Sequence, residues 1–231
     1  MWPLTRDGSD LPRPVGVSEL VTAHRCPLGL YHIQGTDRSP SARYVIAKEI
    51  ARHNGECSDH DLLWEEVQAV MPEIDPAMKN FLKTSLFACS TMVWPPFVEQ
   101  DLRVGSKKHR IMGTVDLAGG QHGLFGVVRS SSAPAEGIYA TDRIRVAAYA
   151  LCLEELYHMP VREGLVIYVP DGVVRTCRVS PRDRRAVFVG RDAAAAVIRG
   201  EIPKRPLNPP CTNCPVSDHC RQGASSRFEQ G

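Results

Sequence analysis

Three cysteines close to the C-terminus constrain the fold more than any other feature of the sequence. Cys211, Cys214 and Cys220 have the spacing C-x2-C-x5-C within RPLNPPCTNCPVSDHC, a proline-rich segment without apolar periodicity. Such a segment cannot bury a core of its own, and cysteines of a reducing compartment are rarely joined in disulfides. We therefore expect a metal to organise this C-terminal tail.

Three thiolates require a fourth ligand to complete a tetrahedral site. Cys26, in the segment HRCPLGLYH, is the best candidate, and the competing ligands are His24, His32 and His219. A site of four cysteines can hold either zinc or an iron–sulfur cluster, and spacing does not decide between them. Either metal would join the two ends of the chain and close a loop of nearly the whole protein.

The other four cysteines are isolated in the sequence, and we expect them to be small buried side chains: Cys57, Cys89, Cys152 and Cys177.

Composition predicts a folded protein without membrane spans. The chain has 231 residues, a formal net charge of +2, 43% hydrophobic residues and 23% charged residues. These values exclude a disordered chain and a histone-like basicity. No run of 18 apolar residues occurs, and residues 1–14 are polar and broken by proline, without the apolar region of a secretory signal. We expect a cytoplasmic protein.

Hydrophobic periodicity predicts an α/β (α+β) domain with a central mixed sheet flanked by helices. Helices are expected first, then three strands in an antiparallel meander, a helix, two strands and a last helix. The predicted helices cover 17–31, 41–53, 59–70, 76–93, 141–158 and 191–200, and the predicted strands cover 97–104, 109–118, 124–129, 165–170 and 173–179. A turn is expected at 119–123.

This order predicts one compact unit over 15–222. Within it we expect a helical N-terminal part (15–96), a sheet-containing core (97–205) and a cysteine-rich segment (206–222), between flexible ends at 1–14 and 223–231.

Several motifs together resemble the RecB-like iron–sulfur exonucleases of CRISPR adaptation, in the PD-(D/E)XK superfamily. They are HRCPLGLY near the start, GTVDLA on a strand, a strand directly after it, AYALCLEE on a helix, LVIYVP, and the final C-x2-C-x5-C. The resemblance spans roughly 15–220. It implies a restriction-endonuclease-like nuclease core at 97–205, DNA as ligand and a CRISPR integrase complex as possible partner. It also implies a [4Fe–4S] cluster on Cys26, Cys211, Cys214 and Cys220.

The family's catalytic pattern is only partly present. The family has an Asp in a G-x-x-D strand, and Asp116 matches it. The next strand should carry Glu-x-Lys, but Val127 and Arg129 stand at those positions. Arg145 replaces the Gln of the following helix, and Ile46 replaces the His of an early helix.

These departures argue against a catalytic metal. A hydrolytic Mg²⁺ or Mn²⁺ site needs carboxylate ligands, and Val127 removes one of them. Arg129 adds a permanent cation where the family has a lysine of tunable charge. We therefore expect Asp116 to be vestigial, and we expect Arg129 or Arg145 to pair with it where the metal would sit.

Two other functions stay open. An active exonuclease would require Mg²⁺ or Mn²⁺ and carboxylates supplied from elsewhere, for which Glu136, Glu154 and Glu155 are available, although helical phase predicts the last two to be solvated. A zinc-clipped protein-interaction module would need no nuclease chemistry.

Local basic clusters favour DNA binding despite the low net charge. Residues 175–205 contain nine Lys or Arg and three acids, and Lys107, Lys108 and Arg110 form a second cluster. Arg129 and Arg145 add cations near Asp116. Such clusters suit phosphate contacts whose affinity falls with salt. The sequence makes no prediction of the oligomeric state.

Overall fold

The computed structural model describes residues 13–34, 39–120, 123–214, 216–218 and 220. Most of the predicted flexible N-terminus and all of the predicted tail at 223–231 lie outside this range. So do His219 and the centre of the turn expected at 119–123.

A mixed sheet forms the centre of the protein, as the sequence predicts, and it has six strands where five were expected. β2 runs antiparallel to β3 along its length, while the other edge of β3 pairs with β1 in parallel and with β4 antiparallel. β4 and β5 are parallel, and β6 is antiparallel to β5. The strands are β1 (Val15–Gly16), β2 (Glu99–Ser106), β3 (Ile111–Ala118), β4 (Phe125–Arg129), β5 (Glu163–Tyr168) and β6 (Val173–Arg178).

Helices cover both faces of the sheet. The helices are α1 (Val17–Arg25), α2 (Pro27–Ile33), α3 (Ala42–Arg52), α4 (His60–Val70), α5 (Met78–Cys89), α6 (Ala140–Tyr157) and α7 (Pro181–Ile198). Alternate residues of β4 face opposite sides: Val127 packs in a core with α1, α6 and α7, and Val128 packs in a second core with α3, α4 and α5. Within the described residues, no helix has the length and apolar character needed to cross a bilayer.

Three predicted helices have different boundaries, and the one expected at 76–93 ends at Cys89. The expected helix at 17–31 is divided at Cys26, whose backbone is extended (φ −161°, ψ 105°), because Pro27 disfavours helical geometry in the residue before it. The last helix begins at Pro181 rather than near 191. Ser180 and Asp183 form a capping box at its start. The sequence prediction missed this signal, because it placed the helix on the alanine-rich run that follows.

Three of the four isolated cysteines are buried, as predicted, whereas Cys57 is half-buried. Burial raises the pKa of Cys89 and of Cys177 to about 11 and that of Cys152 to about 12. These thiols therefore stay protonated at neutral pH and act as apolar side chains.

Candidate functional site

The structure brings the four predicted cysteine ligands together. They line one small cavity of about 20 Å³, and all four are free thiols: Cys26, Cys211, Cys214 and Cys220. Cys26 lies between α1 and α2, whereas the other three follow α7. The cavity therefore joins segments from the two ends of the chain.

Close packing of α1 on α7 accounts for this meeting. A Cβ atom at Gly190, in α7, would lie 2.5 Å from the backbone oxygen of Leu20 in α1, so the two helix backbones touch. Cys26 directly follows α1 and the tail follows α7. The competing ligands His24 and His32 do not line the cavity, and His219 lies outside the described residues.

Hydrogen-bond donors surround the thiols. The Gly29 N–H donates to Cys26 Sγ at 3.3 Å, and the Arg205 guanidinium lies 3.8 Å from Cys211 Sγ. Burial raises the pKa of Cys220, the nearby Arg205 opposes this rise, and electrostatic repulsion among the four sulfurs adds to it. A bound cationic centre would remove that repulsion, so the donor set fits a metal group that takes four thiolates.

Two kinds of metal group use four thiolate ligands. One tetrahedral zinc ion would hold its four sulfurs roughly 3.8 Å apart. A four-iron cluster binds each thiolate through a different iron. The four cysteines of the cavity are compatible with either group. Elsewhere among the described residues, Asp59, His60 and Asp61 place three candidate ligand atoms within 4.8 Å of one another.

Asp116 lies in a separate groove of about 700 Å³, formed by the start of α1, the start of α3, β3, β4 and α6. The carboxylate is buried, and both of its oxygens accept hydrogen bonds. Oδ1 accepts from the Tyr44 hydroxyl at 2.5 Å, and Oδ2 accepts from the Val128 N–H at 2.8 Å. Burial raises the pKa of Asp116, and these two hydrogen bonds oppose the rise.

The predicted pairing of Arg129 with Asp116 is wrong. Arg129 Nε lies 2.9 Å from Oδ1 of Asp142, a carboxylate in the first turn of α6 with a side chain that is only 1% exposed. The other Asp142 oxygen accepts from the Tyr168 hydroxyl at 3.0 Å. Arg129 is opposite Tyr168 in the parallel β4–β5 pair, and this register directs its guanidinium toward α6.

Arg145 does not pair directly with Asp116 either. Its Nη1 donates to Ser18 Oγ at 3.2 Å, and no carboxylate of the described residues forms an ion pair with it. Its positive charge still acts on the groove. Burial raises the pKa of Tyr149 to about 12, and the nearby Arg145 partly opposes this rise.

The remaining positions of the family pattern contain no replacement ligand. Val127 is buried in the core and leaves the second carboxylate position apolar. Ile46, at the expected histidine position, is fully buried against the other core. The residue of α3 that reaches Asp116 is Tyr44, which sequence reasoning missed because no family position draws attention to it.

Sequence reasoning also missed a second buried carboxylate in the groove. Glu19 is 6% exposed and accepts hydrogen bonds from both Arg13 amino groups, each at 2.7 Å. It accepts a further bond from the Gly16 N–H at 2.9 Å, which completes a capping box at α1. This glutamate therefore has a structural role at the helix start.

The carboxylates considered as substitutes lie outside the groove. Glu154 accepts from Arg184 at 2.6 and 2.8 Å and from the Val161 N–H at 3.1 Å. Glu155 accepts from the Ser106 hydroxyl at 2.5 Å. The predicted solvation of these two side chains is wrong, because both are half-buried and hydrogen-bonded. Glu136 is exposed in the loop before α6.

Most of the predicted basic surface is remote from the groove. Lys107, Lys108 and Arg110 lie in the β2–β3 turn, and only Arg129 and Arg145 of the predicted nucleic-acid residues line the groove. Four arginines within 175–205 form ion pairs, namely Arg178 with Glu163, Arg184 with Glu154, Arg191 with Asp192, and Arg199 with Glu201.

The Glu154–Arg184 pair predicts a pH-dependent contribution to stability. The Arg184 hydrogen bonds hold the pKa of Glu154 below its usual value, so the stabilisation is present at neutral pH and is lost as pH falls through the folded-state pKa. Glu154→Gln is expected to lower the free energy of unfolding by about 1 kcal/mol at pH 7. The difference from the wild type should disappear in acid. Urea unfolding at both pH values tests this, with the exposed Glu73→Gln as control.

No protein-family model matches the sequence, and no curated protein matches it at a significant level. The functional assignment therefore rests on the residues and geometry of the two sites.

Proposed function

We propose that this protein is a [4Fe–4S] protein with a RecB-like nuclease fold whose nuclease site binds DNA without cleaving it. Its role would be that of a DNA-binding or scaffold subunit in CRISPR adaptation or a related DNA-processing complex. The proposal rests mainly on the surroundings of the Asp116 carboxylate. Both of its oxygens accept hydrogen bonds from the protein, and no second carboxylate accompanies it at the Val127 position.

The order of the sheet supports the fold assignment. The resemblance follows a strand with GTVDLA, the next strand, a helix with AYALCLEE and a strand with LVIYVP. These segments correspond to β3, β4, α6 and β5. β3 and β4 are antiparallel, α6 connects β4 to β5, and those two strands are parallel. The shared segments are therefore consecutive both along the chain and across the sheet.

The cavity lined by cysteines supports the cluster. Its four sulfurs come from segments near the two ends of the chain, and N–H donors are directed at two of them. When bound, a cluster supplies a cross-link between the two ends of the chain and a centre capable of one-electron exchange. The Gly29 N–H and the Arg205 guanidinium would stabilise the negative charge on its sulfurs.

The charges around Asp116 argue against a divalent cation. A hard cation prefers several oxygen ligands, and here one carboxylate is already bonded to Tyr44 and Val128. Asp142 does not line the groove and is bound to Arg129 and Tyr168. Arg145 adds a positive charge that would repel Mg²⁺ or Mn²⁺.

Anaerobic purification followed by metal analysis tests the cluster. We expect about four irons per chain and thiolate-to-iron absorbance at roughly 400 nm. Stoichiometric zinc without iron would instead favour the zinc-clipped module.

A second experiment tests the inactive site. Single-stranded DNA should bind and remain intact with Mn²⁺ present. Cleavage that Asp116→Ala abolishes would show that the protein is a metal-dependent exonuclease.

A further inference from the structure

The cations of the groove differ in whether a carboxylate compensates them. Arg13 is paired with Glu19 and Arg129 is paired with Asp142. Arg145 also lines the groove but has no carboxylate ion pair within the part of the chain that the structure describes. The groove thus contains two arginines held in ion pairs and one, Arg145, that acts on the buried Asp116 through its charge but forms no ion pair with it.

The guanidinium of Arg145 has unused hydrogen-bonding capacity. Its Nη1 is held by Ser18 Oγ, which fixes the side chain against the start of α1. Its Nε is shielded from solvent and has no hydrogen-bond partner. A shielded donor without an acceptor is unfavourable, so an acceptor supplied by a ligand would stabilise the site. The planar guanidinium is suited to two oxygens of one phosphate.

The other groups facing the groove are compatible with an anion. Side chains with hydroxyl groups line it at Ser41, Thr114 and Ser130, and they can donate to phosphate oxygens. The Asp116 oxygens accept from the Tyr44 hydroxyl and the Val128 N–H, and burial raises the pKa of this carboxyl, which weakens its repulsion of an anion.

We infer that the groove binds a phosphate group of a nucleic-acid strand directly through Arg145, without a divalent cation. This inference rests on the proposed DNA-binding function and specifies how its site recognises the strand. The arginine at this position then replaces the metal ion as the positive charge that receives the phosphate, and Ser18 positions it.

Equilibrium binding of a fluorescent single-stranded oligonucleotide in EDTA tests the inference. Arg145→Gln is expected to weaken binding by about 10- to 100-fold, the effect of losing a charge-assisted contact. The slope of log affinity against log salt should fall by about one. Arg145→Lys keeps the positive charge but lacks the planar guanidinium that can donate to two phosphate oxygens, so it should bind with intermediate affinity. Arg162→Gln is the matched control, because Arg162 is exposed and does not line the groove.

Competition with inorganic phosphate and with thymidine monophosphate distinguishes the strand from a free phosphate compound. An oligonucleotide that binds much more tightly than either competitor supports strand recognition. Tight binding of a free competitor, with weak binding of the oligonucleotide, would overturn it. Thermal unfolding of each variant verifies folding, and if Arg145→Gln does not fold, Arg145→Lys decides the question.

The remaining outcomes separate this inference from the proposed function. Equal affinity of wild type and Arg145→Gln for DNA would overturn the inference and leave DNA binding intact. Binding that requires Mn²⁺ and disappears in EDTA would also overturn it. If the wild type binds no DNA but binds inorganic phosphate through Arg145, the proposed function fails while the phosphate site itself is supported.

Discussion

Replacing Cys26 with serine is expected to remove most of the bound iron and to lower the melting temperature by roughly 10 °C. In the proposed cluster Cys26 is the ligand from the α1–α2 junction, so its loss would reopen a loop of nearly the whole chain. A cross-link that closes a loop of this length adds about 4 kcal/mol to the free energy of unfolding, because it restricts the unfolded chain. Iron and sulfide per chain, the visible spectrum and thermal unfolding measure the effect.

Cys57→Ser is the matched control for this experiment. Cys57 is a half-buried free thiol outside the cavity, so its replacement should leave iron content and melting temperature unchanged. If Cys26→Ser retained the full metal content, the ligand assignment would be wrong and His24 or His219 would become the better fourth ligand.

Gly190→Ala is expected to destabilise the protein by about 2 kcal/mol and to reduce iron retention. The added Cβ would lie 2.5 Å from the Leu20 carbonyl oxygen and 3.0 Å from the His24 Cβ. Backbone atoms cannot rotate away, so α1 must move from α7, and Cys26 moves with it. The higher helix propensity of alanine offsets up to about 1 kcal/mol of the strain.

Urea unfolding and iron content per chain measure both parts of this prediction. Val189→Ala, one residue earlier in α7, removes a side chain that is 62% exposed and should change neither quantity. Wild-type stability in Gly190→Ala would show that α1 and α7 do not have to approach so closely.

The parts of the structure that sequence analysis predicted are those governed by local periodicity. Apolar alternation located β3, β4 and β5. The clustered cysteines of the irregular tail line one cavity with Cys26, and their role as metal ligands stays a prediction. β1 was missed because its two residues are too few for any period to be visible.

The contacts within the groove were harder to predict because they depend on register. The partner of Arg129 is decided by its position opposite Tyr168, and Asp142 is brought there by the loop that connects β4 with α6. Asp142 fits the sequence pattern of an ordinary helix start. Similarly, Tyr44 reaches Asp116 across 72 positions of the chain, a distance over which no local rule operates.

The short helix α1 connects the groove with the cysteine-lined cavity. It has nine residues, and it contributes Ser18 and Glu19 to the groove at one end and leads directly to Cys26 at the other. At 1.5 Å per residue the helix is only about 14 Å long. A substitution that displaces it would therefore disturb the groove and the cysteine-lined cavity together. Homologous chains should accordingly show correlated changes at α1, at its Gly190 contact and in the groove.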